Sequence, residues 1–218
     1  MTKFDIRIVS DVVCPWCYVG KKRLEKGIEL FREAHPDSND TFTTTWYPFY
    51  LNPDAPITGI DKKEMYDNKF GPERTRMMFA RLSAIGEAEG INFKFGGRTG
   101  NTRNAHRLVQ LGKTKGPDVQ TKIVEALFEA YFENEKDITD EETLVSAGVK
   151  AGIEESEVKD WLKSGKGGKD VDSEVTEANS NMITGVPHFT LQDQYEVEGA
   201  QDPQAFTRLF ELIKARNL

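Results

Sequence analysis

The chain has 218 residues, enough to bury a sizeable core as one large domain or as a domain carrying a second one, and its 38% hydrophobic and 10% aromatic content is ordinary for a globular protein. A formal net charge of −7 argues against a phosphate-backbone partner; short basic clusters such as Lys21-Lys22-Arg23 are diluted by nearby acids, so no nucleic-acid partner is expected. No apolar run approaches the roughly 20 residues that cross a bilayer, which sets the expectation of no membrane partner, and the start Met1-Thr2-Lys3-Phe4-Asp5 lacks the pattern of a secretory signal, which sets the expectation of a cytoplasmic protein.

From Phe4 to Ser10 apolar and polar residues alternate and β-branched types are frequent, which predicts a strand. Cys14-Pro15-Trp16-Cys17 follows within a few residues. Val19, Leu24, Ile28 and Phe31 then recur at helical spacing until Pro36, so the motif stands where a helix begins. Thr41 to Leu51 reads as a second strand, closed by the turn-forming Asn52-Pro53-Asp54-Ala55-Pro56.

Residues 60–183 change to a helical pattern, clearest in the stripe Ile123, Val124, Leu127, Phe128, Tyr131 and Phe132. Helices are predicted around 72–89, 102–111, 156–163 and 168–181, and Thr139 with Glu142 forms a candidate capping box for another. Strands return at Pro187–Leu191 and Tyr195–Val197, a hairpin joined by Gln192-Asp193-Gln194. Asp202 and Pro203 then open a last helix with Phe206, Leu209, Phe210 and Ile213 on one face. The fold class is therefore α/β. A β-α-β half and a β-β-α half, residues 1–59 and 184–218, carry a helical domain spliced between them at residues 60–183, as exposed loops tolerate.

The chain has two cysteines, three residues apart, which is too sparse for a disulfide scaffold. They lack the second pair that a four-thiolate zinc site needs, and His35, His106 and His188 have no partner at ligand spacing, so no metal is expected. Buried cysteines are common in cores, but a strand, a CxxC and a helix in that order form a redox signature. A cysteine at the first turn of a helix faces unpaired backbone N–H groups and the positive end of the macrodipole, which stabilise its thiolate. Cys14 is thus the expected nucleophile and Cys17 the resolving residue. Pro15 suits the first helical position, and Trp16 projects an apolar surface beside the sulfur.

A second constellation is Thr184-Gly185-Val186-Pro187-His188-Phe189, at the entrance to a strand. Proline there cannot donate to the ladder, and Val186-Pro187 is a candidate cis bond. In that form the Val186 backbone would be left free to pair with an extended thiol substrate.

These residues together resemble a known family. Ser10-Asp11-Val12-Val13-Cys14-Pro15-Trp16-Cys17-Tyr18-Val19-Gly20-Lys21, Leu51-Asn52-Pro53-Asp54-Ala55-Pro56, Asn101-Thr102-Arg103-Asn104-Ala105-His106-Arg107-Leu108 and Gly185-Val186-Pro187 with Gly199-Ala200-Gln201 are similar to the DsbA-like thioredoxin-fold superfamily, in its FrnE-like branch. The resemblance implies a thioredoxin fold interrupted by a helical domain, with a redox-active CxxC and a cis-proline opposite it, onto which Cys14, Cys17 and Pro187 map one by one. Kappa-class glutathione transferases and 2-hydroxychromene-2-carboxylate isomerases are similar in architecture but typically have serine at the place of Cys14. The resemblance does not extend to the additional C-terminal cysteine pair of some FrnE-like proteins.

The expected function is a thiol–disulfide oxidoreductase acting on protein or small-molecule thiols and disulfides, with no tightly bound cofactor and glutathione as a possible co-substrate. The alternatives are a glutathione-dependent transferase or isomerase at the same groove, and a redox-sensing binding module. Pro15, Trp16, Val186, Pro187, Asn101 and His106 are the candidate substrate-binding residues. Asn101 and His106 either line the groove between the two domains or tie the domains together. Asp11 is either a proton relay beside Cys17 or a loop-capping group. His188 is expected to face solvent.

Overall fold

A computed structural model describes residues 1–216; Asn217 and Leu218, the end of the expected C-terminal half, lie outside the described residues. The alternating N-terminal run forms β1 (Lys3–Ser10), which buries Phe4, Ile6 and Ile8 on one side. β2 (Thr41–Pro48) pairs with it in parallel along its whole length, from Lys3 opposite Thr41 to Ser10 opposite Pro48. A parallel pair needs a crossover connection, and α1 (Pro15–Ala34) supplies it. β5 (His188–Leu191) and β6 (Tyr195–Glu198) form the expected antiparallel hairpin, and β5 joins the free side of β1, giving the strand order β2-β1-β5-β6. The last helix, α9 (Pro203–Arg216), completes the thioredoxin arrangement.

Between β2 and β5 lie α2 (Lys62–Phe70), α3 (Pro72–Glu89), α4 (Arg103–Lys115), α5 (Pro117–Phe128), one turn of π-helix at Glu129–Glu133, α6 (Glu141–Lys150), α7 (Glu155–Lys163) and α8 (Gly168–Ser180). Two-residue strands, β3 (Ile60–Asp61) and β4 (Arg98–Thr99), pair before α2 and α4. Helix α2 carries no apolar stripe in the sequence; it starts because the Asp61 carboxylate accepts the Glu64 N–H at 2.7 Å. The expected Thr139–Glu142 capping box does not form. Asp140 caps α6 instead, accepting the Thr143 N–H at 3.0 Å, while the Thr139 hydroxyl is taken by the Asp137 carboxylate at 2.7 Å.

Helices α1 and α9 cover one face of the sheet. Phe4 meets Phe31 of α1 and Phe210 of α9 edge-on, at ring separations of 5.3 and 5.2 Å. The two helices approach so closely that a methyl on Gly27 would lie 2.9 Å from the Phe206 Cβ. On the opposite face α8 packs over β2, and Arg7 of β1 reaches Glu177 of α8 at 3.6 Å while lying 4.4 Å above the Tyr47 ring. Helix α5 seals the outer edge of the sheet: Gln120 accepts the Trp46 N–H at 3.0 Å and donates to the Trp46 carbonyl at 2.9 Å, replacing the strand that β2 lacks on that side. Tyr18 of α1 stacks on Phe128 at 5.0 Å, so the core under the sheet continues into the helical segment.

Candidate active site

Cys14 stands immediately before α1, with the extended backbone angles φ −89° and ψ 112°, and Pro15 takes the first helical position, where a missing N–H leaves nothing unpaired. The Cys14 N–H donates to the Asp11 carbonyl at 3.0 Å and the Cys17 N–H to the Cys14 carbonyl at 3.1 Å, which fixes the two cysteines on a single turn. Both are free thiols and nearly inaccessible, at 3% exposure for Cys14 and 1% for Cys17. Trp16 between them turns outward and is exposed.

The Val186–Pro187 peptide bond is cis. The Cys14 thiol donates to the Val186 carbonyl across 3.6 Å. Pro187 rests on α1 itself, since a Cβ on Gly20 would come within 2.8 Å of the Pro187 ring. The structure therefore brings Cys14, Pro15, Cys17, Val186 and Pro187 together, with Trp16 at the rim.

The two sulfurs have different surroundings. Burial pushes the Cys17 thiol well above its ordinary range, and the hydrogen bond and charge of Cys14 push the same way. Against them stand the Ser10 hydroxyl and the Asp11 backbone, which favour the thiolate. The Ser10 hydroxyl is buried and makes no hydrogen bond, though it lies near enough to Cys17 to favour its anion. Ser10 did not figure among the sequence candidates. Its signal was the alternation of β1, which puts Ser10 on the same side as Ile6 and Ile8, toward α1.

Asn101 and His106 do not touch the cysteines. The Asn101 side-chain oxygen accepts the Arg103 N–H at 2.9 Å, and the Asn101 backbone N–H donates to the Pro56 carbonyl at 2.8 Å, which ties the start of α4 to the loop after β2. His106 Nε2 lies 3.1 Å from the Phe49 carbonyl and 3.3 Å from the Asp11 carboxylate; both are acceptors, so this nitrogen carries the proton. Asp11 also accepts the Leu51 N–H at 2.9 Å, so its carboxylate holds the loop after β2 while its carbonyl holds Cys14. His106 reaches the motif only through Asp11. His188 is a correction: it is 6% exposed rather than facing solvent, because the chain from Asn181 to Val186 folds over that side of β5. A further residue that the sequence did not mark is Tyr66 of α2. Burial, followed by the charge of nearby Cys14, pushes its phenol up to about 12.

Comparison with known proteins agrees with this geometry. Residues 5–211 match the DSBA-like thioredoxin domain family. The solved structure of a probable DsbA oxidoreductase from Streptomyces coelicolor superposes with a TM-score of 0.86 at 30% identity, over 97% of this chain and 90% of that one. A 2-hydroxychromene-2-carboxylate isomerase structure shares the fold at a TM-score of 0.61 and 18% identity, over 98% of this chain and 94% of that one. An uncharacterised protein of Bacillus subtilis (strain 168) is 24% identical over 209 residues, covering 93% of this chain and 94% of its own.

Proposed function

Because the chain belongs to the DSBA-like thioredoxin domain family, whose members are oxidoreductases or isomerases, we propose that it is a thiol–disulfide oxidoreductase working through a mixed disulfide on Cys14 that Cys17 resolves. The observation that carries this is the inequality of the two thiols. Cys14 stands at the uncapped start of α1 against the Val186 carbonyl, while burial holds Cys17 protonated until its turn comes.

In the exchange, the Cys14 thiolate attacks one sulfur of a substrate disulfide. The substrate S–S bond breaks, a Cys14–substrate bond forms, and the departing thiolate takes up a proton. Cys17 then gives up its proton and attacks the Cys14 sulfur, releasing the second substrate thiol. The protein dithiol is oxidised to a disulfide and one substrate disulfide becomes two thiols. Ser10 and the Asp11 backbone stabilise the Cys17 anion that this second step requires. Once Cys14 is deprotonated its donation to Val186 is lost, which frees that carbonyl for the main chain of an extended substrate. Direction follows from the potential of the dithiol relative to its surroundings; in a reducing cytosol the protein acts as a reductase.

The test is capture. Cys17→Ser keeps the attacking sulfur and removes the resolving one, so it accumulates protein or glutathione adducts that dithiothreitol releases, whereas Cys14→Ser accumulates none. Equal capture by both variants ends the assignment of Cys14 as nucleophile. If the wild type conjugates glutathione to an electrophile without thiol–disulfide turnover, the transferase reading replaces this one.

A further inference from the structure

Beside the Cys14–Val186 contact, on the face of the sheet opposite α1, lies a groove of about 570 Å³. Helix α8 covers this face over β2, and the groove opens where its cover ends, over β5 and β6. The side-chain alternation that buries Phe189 against Phe206 of α9 and half-buries Val197 on the same side turns Glu196, Glu198 and His188 into the groove, with His188 directly opposite Glu198. The other wall is the segment after α8, which contributes Met182, Thr184 and Val186.

Three observations specify an occupant. No lysine or arginine lines the groove, and among the described residues neither Glu196 nor Glu198 has an ion-pair partner, although both are exposed. His188 is 6% exposed as a residue and lines the groove, and its ring has no hydrogen-bond partner among the described residues; its nitrogens are not sealed from solvent, so they face the groove and are open to a ligand group. Met182 stands 83% exposed at the rim, a long flexible apolar side chain suited to the stem of a lysine or arginine. Charge, an open polar group and an apolar lip converge within one groove whose inner end is the residue touching the reactive sulfur.

We propose that this groove binds a positively charged segment of a polypeptide substrate, next to the cysteine whose disulfide Cys14 attacks; the proposal rests on the oxidoreductase reading above and names its substrate class. Lysine or arginine side chains meet Glu196 and Glu198, their methylenes lie on Met182, and a substrate hydroxyl or backbone group satisfies His188. The same carboxylates repel anionic disulfides, so glutathione disulfide, which carries net negative charge, is a poor substrate compared with a basic peptide.

The experiment uses the reduced full-length protein in single turnover against three synthetic peptide disulfides identical except for the residues beside the cysteines: three lysines, three serines or three glutamates. Wild type oxidises fastest with the lysine peptide, by about tenfold over the glutamate peptide at low salt, the low end of what a charged surface adds to an association rate. The advantage shrinks as salt is raised. Glu196→Gln with Glu198→Gln erases the preference, and Glu196→Lys with Glu198→Lys reverses it. Each rate is expressed relative to the same protein's rate with the serine peptide, so that any general effect of a substitution on exchange cancels. If wild type reacts equally with all three peptides, or keeps its preference in the glutamine variant, the groove assignment is overturned while the oxidoreductase reading stands. If wild type oxidises with none of the peptides, the oxidoreductase reading falls and takes the groove with it.

Discussion

On one face of the sheet α1 and α9 bury Phe4, Phe31, Phe206 and Phe210 almost completely; on the other α8 packs over β2, the segment after α8 borders β5, and the β6 side is open and acidic. The closed face is made of apolar rings whose burial scales with the area removed from water, so it holds the fold together. The open face presents the exposed carboxylates of Glu196 and Glu198, which contribute little to folding. The Cys14–Cys17 turn lies where the two meet: Cys17 is buried with the closed core, and Cys14 touches the loop that walls the open groove.

Three substitutions separate these roles. Phe210→Ala removes a ring that meets Phe4, Phe31 and Phe42, and it should lower the unfolding free energy by about 3–5 kcal/mol in denaturant titrations. Dithiol exchange per folded molecule should be unchanged; a smaller loss than Arg7→Ala produces would show that the closed face is not the stabilising one.

Asp40 ranks second. It sits where α9 is pinned to the start of β2, accepting from Lys214 and from the Thr2 N–H. Burial alone would raise its pKa, but the Lys214, Ser38 and Thr2 hydrogen bonds outweigh that and hold the carboxyl well below the ordinary range. Asp40→Asn should cost about 1–3 kcal/mol at neutral pH. A lowered carboxyl pKa means the unfolded chain binds the proton first, so this contribution is complete above about pH 4 and is lost as the pH falls further. Wild type and Asp40→Asn should therefore converge in stability in acid, and a constant gap would refute the ion-pair account.

Arg7→Ala is the smallest. Its ion pairs with Glu177 and Asp193, at 3.6 and 3.5 Å, involve side chains that are 40–79% exposed, so the loss should stay within about 1 kcal/mol and shrink with salt.

What the sequence showed of this comparison depends on how local each feature is. The strand, the Cys14–Cys17 turn and the start of α1 are contiguous, and their alternation, proline position and helical spacing made them readable. The hairpin and α9 were readable for the same reason. Helix α2 was not, because a single Asp61 cap rather than an apolar stripe starts it. Nor was the burial of His188, which depends on where the segment after α8 crosses a strand, and no periodicity records that. Asp11 and His106 were marked as candidates, but their roles rest on contacts 95 residues apart, and the geometry assigns them to holding the loop after β2.

The contact between Cys14 and the Val186 carbonyl joins residues 172 positions apart. A chain that emerges from the ribosome N-terminus first can bring β1, α1 and β2 together early, since those pairings are comparatively local. The strand that flanks β1 on its other side and the loop that shields the Cys14 sulfur are made only after the whole helical segment between them. Until residue 186 has emerged the molecule thus carries a bare pair of thiols at the start of a helix, open to any oxidant or stray disulfide. A product truncated before residue 186 would keep the Cys14–Cys17 turn and lack the carbonyl that the Cys14 thiol meets.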